Sequence, residues 1–235
     1  MINFKRRSYK KELLDRDDIP TEEIRKNMRE LNIINARLGG HSITTGALSN
    51  MASNNAEISV CEIGCGGGDN LFAIHQWGEK NQVKITCTGI DINSDCISFA
   101  KENSVPGCIY ITADYKTVKF EEPPDIIFCS LFTHHFAEKE LSEMMRWMQS
   151  NSRIGFFIND LHRHPVAYYF IWLATRIFSK SSLVKHDAPL SVLRGFRKSE
   201  WKNILQSAGI TNFNIQWKWA FRHLVRVQNL QYGQS

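Results

Sequence analysis

Two clusters of residues carry chemistry by their type and spacing. The first is a glycine-rich turn. Residues 60–70 read Val-Cys-Glu-Ile-Gly-Cys-Gly-Gly-Gly-Asp-Asn, so Glu62, Gly64, Gly66 and Gly68 fall at alternate positions. An apolar run at 58–63 precedes the turn, and an amphipathic helical pattern starts near Asp69. A glycine turn between a strand and a helix lets the backbone approach a ligand that a Cβ would block. The second cluster is rich in histidine. Residues 131–136 read Leu-Phe-Thr-His-His-Phe, and residues 159–165 read Asn-Asp-Leu-His-Arg-His-Pro. Histidine titrates near neutral pH and suits proton transfer. His134 and His135 are candidates for a base, the alternative being helix capping or the filling of a polar gap. Asp160 is placed to orient a histidine or an acceptor hydroxyl, or to cap the next helix. The spacing His162-x-His164 is poor for a helix-borne metal site, so no metal is expected.

Two ligands compete for the glycine turn. A dinucleotide site wants Gly-x-Gly-x-x-Gly, with a pyrophosphate on the helix N-terminus. Counted from Gly64, the third required position is Asp69, an acid that would repel a pyrophosphate. The next strand, 83–91, alternates and ends in Asp91. That acid lies about 20 residues past the turn, where a βαβ unit places a carboxylate for ribose hydroxyls.

The pattern Glu62-x-Gly64-x-Gly66-x-Gly68 resembles the first motif of class I S-adenosylmethionine (SAM)-dependent methyltransferases. Further blocks carry the likeness: Asp91 at the end of the second strand, Ile-Tyr-Ile-Thr-Ala-Asp-Tyr at 109–115, and Pro-Asp-Ile-Ile-Phe-Cys-Ser at 124–130. It spans residues 57–160, and the order of four blocks is more specific than any one of them. The resemblance implies that the turn passes under the amino acid part of SAM, a zwitterion whose ammonium tolerates a nearby acid. It implies ribose binding by Asp91 beside Ile92, adenine binding by Asp114 beside Tyr115, and a further cofactor contact at Ser130. S-adenosylhomocysteine (SAH) would be the product. Segments 130–136, 159–163 and 190–196 look like bacterial small-molecule methyltransferases related to the ubiquinone/menaquinone-biosynthesis group, whose relatives serve polyketide or phenolic-lipid pathways.

These residues need a frame to hold them. Strands and helices alternate over 57–160, which calls for a parallel sheet. Helices are expected at 70–79, 94–103, 138–150, 164–179 and 199–208. The runs 211–219 and 221–227 alternate like a strand pair. The expected fold is therefore α/β: a doubly wound, seven-stranded, mostly parallel sheet with an antiparallel C-terminal hairpin and an N-terminal helical extension. Residues 1–55 are read as that extension, with helices at 8–15 and 21–38 ended by Gly39 and Gly40. Residues 56–235 form the catalytic domain, with an apolar helical insert at about 164–197. In an open α/β sheet, ligands lie beyond the carboxyl ends of the strands. The two histidine loops leave those ends, so His134, His135 and Asp160 are expected beside the methyl group. His162, Arg163, Tyr168 and Trp172 are expected at the acceptor. The aromatic helix after Pro165 reads either as a lid or as core.

Composition sets outer bounds. The chain has 235 residues, 43% of them hydrophobic and 23% charged, as in an ordinary globular protein. A net charge of +5 without lysine runs gives no nucleic-acid signature. No apolar leader and no membrane span are expected. The six cysteines are read as reduced thiols in the cytoplasm. The sequence thus predicts methyl transfer from SAM to a small, largely apolar, phenolic or polyketide-like acceptor, most readily at oxygen. The rivals are C- or N-methylation, a non-catalytic SAM-binding regulator, and an NAD(P)-binding oxidoreductase. Oligomeric state and acceptor identity lie beyond it.

Overall fold

A computed structural model describes residues 2–16, 18–52 and 55–229. Its centre is a seven-stranded sheet built from β1 (Glu57–Ile63), β2 (Lys84–Asp91), β3 (Cys108–Thr112), β4 (Ile126–Ser130), β5 (Gly155–Leu161), β6 (Asn214–Lys218) and β7 (Arg222–Gln228). The strand order is β3-β2-β1-β4-β5-β7-β6. Strands β1 to β5 pair in parallel, and β7 runs antiparallel between β5 and β6. The order reverses between β1 and β4, and a ligand crevice is expected at that switch point.

The helices that cover the sheet are α1 (Thr21–Arg37), α2 (Gly40–Met51), α3 (Asp69–Asn81), α4 (Ser94–Glu102), α5 (Glu138–Ser150), α6 (Pro165–Phe178), α7 (Ser182–Arg194) and α8 (Lys198–Ser207). One face of the sheet packs on α5 and α8, where Met144, Met145, Met148 and Trp201 are wholly buried. The other packs on α2, α3 and α4 around Leu48, Leu71, Ile74 and the stacked pair Phe128 and Phe157. Each such side chain contributes about 1.5–3 kcal/mol by leaving water. The central strands, covered on both faces, are largely apolar, as parallel strands tend to be, and their buried polar residues Glu62, Ser130, Asn159 and Asp160 gather at the carboxyl ends.

Three expectations change. The helix expected at 8–15 is an extended strap that ends in one 3-10 turn, Leu13–Asp15. Long-range bonds hold it out of a helix: Ser8 N–H donates to the Leu193 carbonyl, and the Leu13 and Leu14 N–H groups both donate to Asp187. The glycine pair ends α1 as expected, but an unexpected helix follows it. Gly39 turns the chain in the left-handed conformation, and α2 starts at once. The cysteines are not all reduced: Cys87 and Cys108 sit opposite each other on β2 and β3 and form a disulfide. Cys61, Cys65, Cys96 and Cys129 are free and buried. Among the described residues no helix is long and apolar enough to cross a membrane.

Candidate active site: a polar cradle beside an apolar cavity

The cradle lies at the carboxyl ends of β1, β2 and β4, a cavity of about 550 Å³ walled by Glu62, Gly64, Gly66, Asp91, Ile92 and Ser130. The turn after β1 folds back on β2, where Gly64 and Cys65 N–H groups both donate to the Ile90 carbonyl. The Gly66 N–H donates to Asp91 Oδ2 at 2.9 Å, and Asn93 N–H donates to Asp91 Oδ1 at 2.9 Å. Asp91 therefore fastens the loop from below. The glycines serve different ends. A Cβ on Gly64 would meet the Phe132 ring at 2.2 Å, whereas one on Gly66 would meet only Met28 Sδ at 3.4 Å. Gly66, at φ +49°, is the position whose free side faces the cradle.

Two polar atoms of the cradle wall are buried without a partner: Glu62 Oε2 and Ser130 Oγ. The other Glu62 oxygen accepts from Asn70 Nδ2 at 2.9 Å. Burial and then the charge of Asp69 push the Glu62 carboxyl well above the carboxylate range. Asp69 behaves oppositely. Burial by itself would raise it, but His41 at 2.7 Å and Asn35 at 2.9 Å hold it ionised. An anion at the start of α3, next to a second acid wanting a cation, suits an ammonium group and opposes a pyrophosphate. The residues therefore fit the amino acid end of SAM.

Three cofactor expectations fall outside the cradle. Gly68 lies behind the wall, where a Cβ would strike the Tyr110 hydroxyl at 2.8 Å. Asp114 is exposed and caps the 3-10 turn Tyr115–Thr117 by accepting from Lys116 N–H. That turn drives Tyr115 inward, where its ring packs edge-on against Trp147 at 5.1 Å.

The second cavity, about 370 Å³, has a mostly apolar surface from the strap, α1, α6, α7, the loop after β4, the end of β5 and the β6–β7 turn, with Glu12, His134, His135, Asp187 and Arg222 set into it. Leu14, Leu31, Leu131 and His135 belong to the walls of both cavities. Leu131 holds a left-handed backbone at φ +52°, an uncommon state for a branched residue and one that collects at working sites. Its bend carries the chain from β4 across the mouth of the cradle and presents the two histidines.

Those histidines differ. His134 is buried in the wall of the second cavity: Nδ1 lies 2.8 Å from Asp160 Oδ1 and Nε2 lies 3.5 Å from Glu12 Oε1. Asp160 also accepts from the Thr133 hydroxyl and the His134 N–H. Burial by itself lowers the His134 pKa, but the two carboxylates outweigh it and push it up to about 9. His134 is thus a cation held between two carboxylates at neutral pH, which makes it a weaker candidate than His135 for taking the acceptor's proton. His135 is partly exposed. Its Nδ1 is 3.0 Å from Asp15 Oδ1, while Nε2 stands 3.7 Å from Glu12, beyond hydrogen-bond reach. The ligand atoms of Glu12, His134 and His135 lie within 4.8 Å of one another, as a cation site would require. Here the protonated His134 and the Arg194 guanidinium, 3.9 Å from Glu12, already supply positive charge.

The residues expected at the acceptor lie elsewhere. Arg163 is fully buried with its donors used by Glu200, Gly195 and Phe4, so it braces the fold. His162 packs against the rings of His223 at 4.6 Å and His164 at 5.5 Å, and burial lowers its pKa. Tyr168 and Trp172 face an outer groove with the strap, away from the cavity. Instead, α6 contributes Ala167, Phe170 and Ile171 to the cavity. Arg222 on β7 is a residue that sequence reasoning missed. It lines the cavity and is 2% exposed; one nitrogen bonds Asn35, while Nε and Nη1 have no partner. Burial lowers its pKa to about 10, so it remains a cation.

A family described as "Methyltransferase domain" matches residues 60–153, from within β1 to just before β5, the stretch that builds most of the cradle. The match covers 94 of the 235 residues. Solved methyltransferases share the architecture of the chain. The plantazolicin methyltransferase BpumL, in complex with SAH, aligns with a TM-score of 0.65 and 15% identity over 91% of both chains. A SAM dependent methyltransferase from Aquifex aeolicus gives 0.61 and 14%, covering 90% of this chain and 99% of its own. The magnesium protoporphyrin IX methyltransferase of Synechocystis PCC 6803, with bound SAM, gives 0.55 and 14% over 83% and 82%. At such identities the likeness is one of fold. No curated protein sequence matches the chain.

Proposed function

We propose that the chain transfers the methyl group of SAM to a hydroxyl oxygen of a small, largely apolar acceptor held in the second cavity. The chain is a SAM-dependent methyltransferase, with SAH as the spent cofactor. Bound SAM supplies a methyl group that its sulfonium already activates. The protein's share is alignment and the handling of one proton. The unpaired oxygen of Glu62 meets the ammonium, and Asp91 offers its remaining lone pairs to the ribose. The apolar walls hold the body of the acceptor. His135 Nε2 takes the hydroxyl proton while Asp15 fixes Nδ1, and the Glu12–His134–Asp160 chain keeps the loop in register. The free donors of Arg222 favour an acceptor with a second oxygen, such as a ring hydroxyl or carbonyl.

One observation carries this reading: His135 stands in the wall shared by a polar cradle and an apolar cavity. A binding protein without catalysis needs the first cavity but not the second. The test is incubation with methyl-labelled SAM and a panel of mono- and dihydroxylated aromatic compounds. Label on oxygen of a phenolic acceptor supports the reading. Label on carbon or nitrogen would replace the oxygen assignment, and no transfer across the panel would favour the non-catalytic role.

A further inference from the structure

Helix α6 leaves an unusual surface in water. Val166, Phe170, Leu173 and Ile177 recur at helical spacing on one stripe, and each is more than half exposed. Phe178, 78% exposed, extends the stripe, and Trp219 on the β6–β7 turn is 71% exposed. A soluble monomer rarely presents so many large apolar side chains together, and such a patch marks an interaction surface.

Two further observations say what covers it. The adjoining stripe of α6, Tyr168, Trp172 and Arg176, forms one wall of a groove whose opposite wall is the strap. That groove carries Arg6, Lys10, Lys11, Arg176 and Lys185 and has no acidic side chain in its lining. An apolar stripe flanked by a cationic groove is the pattern of an element that lies in a bilayer interface, with basic groups on anionic head groups and aromatic groups at the acyl boundary. The second observation is position. Val166 and Phe170 on one side, and Trp217 and Trp219 on the other, are the exposed residues in the wall of the acceptor cavity. The apolar surface surrounds the mouth of that cavity.

We propose that α6 and the β6–β7 turn dock on a membrane surface bearing anionic phospholipids, so that the acceptor cavity opens onto the bilayer and draws an amphipathic, lipid-like acceptor from it. The second half of this statement rests on the acceptor reading above; the docking itself does not.

The test is co-sedimentation of the full chain with vesicles of phosphatidylcholine alone and of equimolar phosphatidylcholine and phosphatidylglycerol. The wild type should sediment with the anionic vesicles and be released by high salt. A Leu173→Ser, Ile177→Ser, Phe178→Ser variant, altered only at solvent-facing positions outside both cavities, should lose affinity by roughly tenfold or more. An Arg176→Glu, Lys185→Glu variant should lose preference for the anionic vesicles. Both should bind SAM by calorimetry as the wild type does, which shows that they fold. Wild-type protein that stays in solution with both vesicles overturns the proposal, as does a triple variant that binds them undiminished. A wild-type dimer that the triple variant converts to monomer also overturns it, since the stripe is then covered by a second copy. Vesicle binding involves no methyl transfer, so a failed acceptor panel with retained docking would remove only the chemistry.

Discussion

The cradle and the acceptor cavity share four wall residues and are built in opposite ways. The cradle comes largely from the ends of three neighbouring strands, β2, β1 and β4, and the loops that leave them, closed by the strap and α1, and its key atoms are polar. The acceptor cavity comes from the strap, α1, α6, α7 and β7, segments more than 200 residues apart from first to last, and its wall is mostly apolar with a few charged groups. A cofactor of fixed shape is met by a local motif. An acceptor is met by a shell assembled from distant pieces, which can differ while the frame persists. His135 belongs to both, so it is where the comparison is most exposed to test.

The largest effect is expected there. His135→Ala should lose roughly 10²–10⁴-fold in turnover with SAM affinity unchanged, if its imidazole is the base. A turnover within a few-fold of wild type would leave the two regions without a shared catalytic group. Next comes the cradle alone. Glu62→Gln removes the acceptor oxygen for the ammonium, and a hydrogen bond to a charged group is worth about 1.5–3 kcal/mol, so SAM affinity measured by calorimetry should fall roughly 10- to 100-fold. An unchanged affinity would mean that the unpaired oxygen is not the ammonium site.

A smaller effect separates His134 from its neighbour. Its pKa rises from 6.5 to about 9 on folding, so it adds stability that is complete below about pH 6.5 and is lost as pH climbs through about 9. The midpoint of urea unfolding should therefore fall between neutral and alkaline pH in the wild type. In His134→Gln that decline should flatten; the same slope in both proteins would dissolve the clamp. The smallest effect is expected outside. Trp172→Ala, assayed with a water-soluble acceptor and no membrane, should change the acceptor KM by no more than about twofold, as for a side chain remote from the ligand. A larger rise would return the outer stripe of α6 to the cavity.

What the sequence made legible follows the same division. The order of β1 to β5, the turn at Glu62 and the carboxylate of Asp91 were readable because each is a short contiguous pattern whose geometry is local. The hairpin was readable from alternation. The site residues Glu12 and Asp15 were not, because residues 8–15 have a helical pattern that tertiary bonds to Asp187 and Leu193 override. Helix α7 was hidden by the proline at 189 within it. Arg222 looked like any alternating residue of a strand; only the folded partners show two of its nitrogens unpaired. His134 and His135 were visible as a pair. Their division of labour depends on which carboxylates arrive from elsewhere in the chain.

The strap also decides how the molecule comes apart. Glu12 and the groups that fix its segment, Asp187 and Arg194, lie about 175 residues apart in sequence. Contacts so distant form only once the frame between them has brought their ends together, because loop closure costs entropy. Opening of α7 would release the strap, and with it one wall of each cavity.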